Sequence, residues 1–208
     1  MSPASTSPAS DGAAAAPKRG RPGYDRETLL SVCVDVFNRY GYDATSMGTL
    51  SKHLGISKSA IYHHVESKEA ILGQALDRAL DSLEAVFESV LASDHGPVNK
   101  LEAILDGSVR VLVDQMPYVT LLLRLRGNSE VEEAALQRRR TLTRTVEDLV
   151  REAQELGELR TDISGKSAPR LMLGMVNSIV DWYQPGRSGT VDQLAATVVT
   201  MVFSGLRA

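Results

Sequence analysis

The sequence predicts an all-α protein of about nine helices, divided into a small N-terminal three-helix unit and a larger helical unit. Helix-forming residues, mainly Ala, Leu, Glu and Arg, dominate the 208 residues. No segment alternates β-branched and polar residues as a half-buried strand does. Apolar residues instead recur every three or four positions in stretches that end at glycine, proline or short polar turns.

The charge of the chain is unevenly distributed. The formal net charge is -3, but the residues through Lys68 sum to +2 and the remainder to -5, so only the N-terminal third favours a polyanionic partner. Cys33 is the only cysteine, which excludes an intrachain disulfide and favours a reducing compartment. Its apolar neighbours predict a buried, inert thiol. No signal peptide or membrane span is recognisable, so we expect a cytoplasmic location.

Residues 1–24 are predicted to be a disordered arm, because residues 1–17 are rich in Ser, Ala and Pro. The basic run at residues 18–22 follows, and its Arg19-Gly-Arg21-Pro sequence resembles the core of AT-hook peptides. An extended basic arm of this type fits the minor groove of A·T-rich DNA. The alternative is a solvated basic tail.

Three short helices are predicted next, in residues 25–70. Asp25 is a good N-cap for a helix that runs to Tyr40 and ends at Gly41. A second helix covers residues 46–53, with Thr45 and Ser46 as hydroxyls near its start. The glycine in the joint at residues 54–56 supplies the conformation of a tight turn between helices.

The third helix, which Ser57 caps, has the character of a DNA-reading helix. At 100° per residue, Ile61 and Val65 form an inward stripe, whereas Ser59, Tyr62 and His63 point outward. An outer face with small, hydroxylated, aromatic and basic side chains and no acidic ones suits DNA. Residues 25–70 are therefore interpreted as a helix-turn-helix DNA-binding domain.

The segment 71–208 is predicted to hold the remaining helices, the first of which begins at the N-cap Ser67 and ends near Leu91. The others are expected at residues 98–115, 117–126, 130–156, 168–183 and 191–205.

The segment 41–72 closely resembles the signature of the TetR (tetracycline-repressor-like) regulators. The matching residues are Gly41, Thr45, Leu50, Gly55, Ile56, Ser57, Ile61, Tyr62, His64, Val65, Ser67, Lys68, Glu69 and Leu72. Mild departures occur at Ser46, Ser51 and Val65. The resemblance implies a homodimeric regulator, usually a repressor, whose C-terminal domain binds an effector and dimerises through the last two helices.

The resemblance also implies DNA contacts. Lys58, Ser59 and Ala60 would face base edges. The residues that would hold phosphates are Thr45, Ser46, Tyr62, His63 and Lys68.

The last two helices are the candidate dimer interface, because both are apolar nearly all round and must be covered on several sides. The residues assigned to the interface are Leu171, Gly174, Ile179, Leu194, Val198 and Val202. An ordinary monomeric core is the alternative.

An effector pocket is expected in the same half of the chain. The predicted apolar lining is Met116, Leu121, Met172 and Met175, with Asn177 and Tyr183 orienting a polar group. The run Trp182-Tyr-Gln-Pro-Gly186 resembles a segment of TetR members that sense acyl-CoA thioesters. In that interpretation the arginines of two basic clusters, Arg124 with Arg126 and residues 138–140, meet the CoA phosphates.

Other functions fit the sequence less well. Gly165-Lys-Ser167 resembles the end of a P-loop, but Arg160 stands where the first glycine is required. No catalytic or metal-binding motif is found, so we expect neither an enzyme nor a cofactor. A sequence-neutral architectural DNA-binding protein remains an alternative, which the acidic C-terminal half disfavours. A regulator of an efflux system with a hydrophobic drug-like effector is a second alternative.

Overall fold

The computed structural model describes residues 25–207, and within that range the chain forms nine α-helices and no strand. The all-α prediction is confirmed. The arm at residues 1–24, with Arg19 and Arg21, lies outside the described residues. The helices are α1 (Arg26–Tyr40), α2 (Met47–Leu54), α3 (Lys58–Tyr62), α4 (Lys68–Leu91), α5 (Pro97–Asp114), α6 (Met116–Leu123), α7 (Glu130–Glu155), α8 (Ser167–Trp182) and α9 (Val191–Leu206).

The predicted helix caps are confirmed. The Asp25 carboxylate accepts a hydrogen bond from the Thr28 backbone N–H at 2.7 Å, and Ser57 and Ser67 cap α3 and α4 in the same way. Each cap satisfies a backbone donor that has no partner inside its helix. Gly41 ends α1 with a φ of 86°, a conformation that a side chain would make costly.

Helix α5 lies at the centre of the larger unit, where it packs against α4, α7, α8 and α9. Helices α4 and α6 also contact α1, so the N-terminal helices rest directly on the larger unit. The buried apolar residues form one core that extends from α1 to α9. A change in the packing around α4 can therefore reach the first three helices.

Helix α6 ends at Leu123, three residues before its predicted end at Arg126. The reason is a carboxylate further along the chain. Glu132, only 4% exposed, accepts hydrogen bonds from the backbone N–H groups of Arg126, Gly127 and Asn128 at 3.0, 2.9 and 3.3 Å. Those N–H groups turn toward the carboxylate instead of continuing the helix.

Cys33 is completely buried, as the sequence predicts. Burial raises the pKa of its thiol to about 12, which leaves almost no reactive thiolate at neutral pH.

Among residues 25–207, no helix is both long enough and apolar enough to cross a membrane.

Candidate functional site

Helices α2 and α3 form a helix-turn-helix. Gly55 ends α2 in the left-handed conformation, with a φ of 66°, and so allows the tight turn into α3. The Ser51 hydroxyl donates to the Ile56 carbonyl at 2.6 Å and fixes that turn from the side. Helix α3 is held to the core by Ile61, which is fully buried, and by Val65 just beyond its end.

The outer face of α3 is open, as the angular prediction required. Lys58, Ser59 and His63 are exposed, Tyr62 is 51% exposed, and Ala60 is partly covered. Helix α3 ends at Tyr62, so His63 lies in the following turn. The base and phosphate contacts assigned to these side chains remain predictions, but each exposed side chain is free to make one.

The two hydroxyls ahead of α2 have different environments. Ser46 is exposed and caps α2 by accepting from the Thr49 N–H at 3.1 Å. Thr45 is only 2% exposed, and its hydroxyl donates to the Gly41 carbonyl at 2.7 Å. The predicted phosphate contact of Thr45 is therefore corrected: its side chain is a buried tie within the connection between α1 and α2.

Lys68 is used inside the protein to a degree that the sequence did not indicate. Its ammonium group donates to the carbonyls of Tyr42 and Thr45 at 3.1 and 3.0 Å, and lies 4.2 Å from the centre of the Tyr42 ring. Two of its three N–H donors are thus committed to backbone oxygens. Lys68 fastens the start of α4 to the connection between α1 and α2, and its phosphate contact stays a prediction for the one donor left.

A cavity of about 250 Å³ lies inside the larger unit, between α4, α5, α6, α7 and α8. Its lining is mainly apolar, with three uncharged polar side chains and two arginines. The lining residues are Leu83, Phe87, Ser108, Leu112, Val119, Leu122, Leu123, Arg139, Leu142, Thr143, Arg170, Leu173, Gly174, Val176 and Asn177.

Of the residues predicted to contact an effector, Asn177 and, from the cluster 138–140, Arg139 line this cavity. Leu121 and Arg124 line a second cavity of about 530 Å³ between α1 and the loop after α6, where Arg124 donates to the Asn38 carbonyl at 2.6 Å. The predicted apolar and aromatic residues Met116, Met172, Met175 and Tyr183 line neither cavity. Their contact with an effector stays a prediction, because apolar residues of core and cavity wall have the same helical spacing and the sequence does not separate them.

The consecutive arginines of α7 lie in different surroundings. Arg138 is paired with Asp77, Asp81 and Glu84 of α4 at 2.5 to 2.9 Å, and the Glu84 hydrogen bond raises the pKa of its guanidinium. Arg139 instead lines the cavity and donates a single hydrogen bond, to the Leu122 carbonyl at 3.3 Å. The sequence shows the arginine cluster but not which of its members faces the cavity. The rotation of α7 about its own axis relative to α4 decides which arginine faces inward.

The outer faces of α8 and α9 remain apolar in part. Leu171 is 71% exposed and Gly174 is open, so both are accessible to a second chain. The other four residues assigned to the interface, Ile179, Leu194, Val198 and Val202, are buried inside this chain at 8% exposure or less. That part of the prediction is corrected. Trp182 of α8 and Met201 of α9 are further large apolar residues that are exposed, at 51% and 62%.

A helix-turn-helix with an open reading face, joined by one long helix to a helical domain with an internal cavity, defines a class of DNA-binding regulators. The comparisons with known proteins place the chain within that class. Residues 29–75 match the model described as bacterial regulatory proteins, tetR family, and residues 94–206 match the tetracyclin repressor-like C-terminal domain. The chain therefore belongs to the TetR family of transcriptional regulators, which are not enzymes.

Individual relatives agree with this assignment. The HTH-type transcriptional repressor KstR2 of Rhodococcus jostii is 28% identical over 192 residues, which cover 87% of this chain and 90% of the relative. The crystal structure of SCO3833, a TetR regulator of Streptomyces coelicolor A3, is similar with a TM-score of 0.79 and 45% identity, covering 87% of this chain and 92% of that one.

A second solved structure shares the fold. AibR in complex with isovaleryl coenzyme A and operator DNA has a TM-score of 0.74 at 23% identity, over 86% of this chain and 97% of that chain.

Proposed function

We propose that this protein is a ligand-responsive repressor that binds a palindromic operator as a homodimer and leaves it when a small hydrophobic effector occupies the cavity. The observation that best supports this function is the joint presence of the open α3 face and the mainly apolar cavity in one chain. The relative named a repressor, KstR2, matches nearly the whole length of both proteins. We expect the protein to act in the cytoplasm, where operator DNA is found.

Helix α4 is the proposed connection between the two sites. It has 24 residues and is therefore about 36 Å long. At its start Lys68 is fastened to the carbonyls before α2, and further along Leu83 and Phe87 line the cavity. A ligand that displaces these two side chains moves the same helix that supports α2 and α3. Such a coupling needs only that the ligand binds the DNA-free arrangement more tightly.

The proposed effector is an acyl-CoA thioester. The segment from Trp182 to Gly186 supports this class, as does the fold shared with AibR, whose structure contains isovaleryl coenzyme A. A cavity of about 250 Å³ suits a short or branched acyl group but not the nucleotide of CoA, which would remain outside. The exposed Arg170 on the cavity wall is suitably placed to meet its phosphates.

The exposed face of α8 and α9 is the proposed dimer interface. Leu171, Trp182 and Met201 supply apolar area, while Gly174 allows close approach of a second backbone. A two-fold arrangement of this kind would present two copies of α3 to successive major grooves, about one helical turn apart.

A gel-shift titration tests the proposed function. At physiological salt we expect tight binding to the DNA upstream of the protein's own gene and at least about a thousandfold weaker binding to a scrambled duplex. Addition of isovaleryl-CoA or octanoyl-CoA is expected to release the operator, whereas free CoA serves as the control. Equal affinity for the scrambled duplex would refute the proposal in favour of an architectural DNA-binding protein.

A further inference from the structure

Arg139 is unlike its neighbours in the arginine cluster of α7. Arg138 is surrounded by three carboxylates, and Arg140 is exposed and donates to the Gln137 side chain. Arg139 is half-buried against the cavity, and among residues 25–207 no carboxylate oxygen lies within 4 Å of its guanidinium. Its one hydrogen bond, to a carbonyl at 3.3 Å, engages one of five N–H donors.

A partly buried guanidinium without a counter-ion is unfavourable, because burial removes hydration that nothing replaces. Burial accordingly lowers the pKa of the Arg139 guanidinium from its ordinary value. Protein interiors normally hold charged groups only when these are paired or hydrogen-bonded. An unpaired cation facing a mainly apolar cavity, whose one other charged lining residue is also an arginine, thus indicates that its counter-ion comes with a ligand.

The rest of the cavity wall fits the same kind of ligand. Its aliphatic and aromatic side chains are suited to a compact hydrocarbon body. Ser108, 4% exposed, and Asn177 also line the cavity, and their side chains donate no hydrogen bond to the described part of the chain. Both are hydrogen-bond donors that can supplement a guanidinium around an anionic oxygen.

We infer that the cavity selects amphipathic anions, and that Arg139 receives the anionic oxygens of a carboxylate or phosphate while the apolar wall encloses the hydrocarbon part. The inference rests on the proposed effector response and specifies the chemistry of its ligand. Free fatty acids and CoA thioesters both supply anionic oxygens on an apolar chain. Neutral hydrophobes of the same size lack the group that Arg139 requires and should bind weakly.

Matched eight-carbon probes test this inference by thermal shift and isothermal titration. Octanoate, octyl phosphate and octanoyl-CoA carry an anionic group, whereas octanol does not. We expect the wild-type protein to be stabilised by at least one anionic probe and little by octanol. A free acid that binds as well as the thioester would identify the carboxylate as the group on Arg139. Binding by octanoyl-CoA alone, unchanged in Arg139→Gln, would place the anionic group on the exposed Arg170 and contradict the inference.

Substitutions at two arginines of α7 provide the test and its control. Arg139→Gln is expected to weaken binding of the anionic probe by about thirtyfold or more, as loss of one partner of a buried charge pair does. Arg144→Gln, at an exposed position of the same helix outside the cavity lining, should leave affinity within about twofold. Without ligand, Arg139→Gln should melt at the wild-type temperature or higher, because the substitution removes a desolvated, unpaired charge. A purely structural arginine would instead lower it.

Several results would overturn the inference without touching the proposed function. They are equal stabilisation by octanol and octanoate, and unchanged affinity in Arg139→Gln. No shift with any anionic probe would also overturn the inference, and with it the acyl-CoA effector, but would leave operator recognition standing. Operator binding is measured separately by gel shift. Because Arg139 is remote from α3, failure of the wild-type protein to distinguish operator from scrambled DNA would refute the proposed function alone.

Discussion

Lys68 offers the sharpest test of how sequence and structure assign different roles to one side chain. The family resemblance makes it a phosphate contact, whereas the structure uses two of its donors on the carbonyls of Tyr42 and Thr45. Substitution Lys68→Met keeps most of the aliphatic stem and removes the ammonium group. If the intramolecular role dominates, the variant loses stability first and DNA affinity only as a consequence.

The expected loss follows from the two hydrogen bonds. A hydrogen bond to a charged group contributes about 1.5–3 kcal/mol, and we take the lower end because Lys68 is only half-buried. The cation–π contact with Tyr42 adds less than about 1 kcal/mol in partly exposed surroundings. A total of about 3 kcal/mol corresponds to a decrease in Tm of about 6–12 °C for a chain of this size.

Calorimetry on Lys68→Met beside Lys58→Met separates the two roles. Lys58 is exposed on α3, so its substitution should change the free energy of unfolding by no more than about 0.5 kcal/mol. The same substitution should weaken operator binding. The reasoning about Lys68 is refuted if Lys68→Met melts at the wild-type temperature and the dependence of log K on log salt becomes shallower by about 0.9. That result would identify a phosphate contact.

Two further predictions concern the packing of α4 and the pH dependence of stability. In Gly107→Ala the new Cβ would clash with Val86 Cγ1, so we expect the free energy of unfolding measured in urea to fall by about 2 kcal/mol. The double variant Gly107→Ala/Val86→Ala should recover most of this lost stability. If the losses of the two single variants simply add in the double variant, the clash is contradicted. Burial, aided by Glu69, raises the pKa of Tyr42 to about 12. The contribution of Tyr42 to stability is complete below the unfolded pKa of about 10 and is lost as pH rises through about 12. Over this range the free energy of unfolding of the wild type should fall more steeply than that of Tyr42→Phe. Tyr40→Phe is the control.

The local elements of the fold were predictable because their causes are local. Helix caps such as Asp25 and Ser57 act on backbone groups three residues away, and the glycines after α1 and α2 act on their own φ. The inward position of Ile61 and the outward position of Tyr62 follow from 100° per residue on a helix with one buried stripe. The helix-turn-helix and its reading face were therefore predictable from the sequence.

The cavity was not predictable to the same degree, and the errors have a common cause. Met172 and Leu173 are adjacent apolar residues of α8, but Met172 is buried in the core while Leu173 lines the cavity. A helix that is apolar nearly all round has no preferred inward face in its sequence. For the same reason the sequence pattern does not distinguish Ile179, which this chain's own helices cover, from Met201, which is exposed.

The sequence by itself determined the nine helices, their caps and the reading face of α3, because each depends on side chains within a few residues. Tertiary structure alone decided which arginine of α7 faces the cavity, and that Lys68 and Thr45 are ties within the domain. Those roles depend on distances between α7 and α6, or between α4 and the connection before α2. The chain brings these segments together only when the core is packed, and a helical period contains no information about that distance.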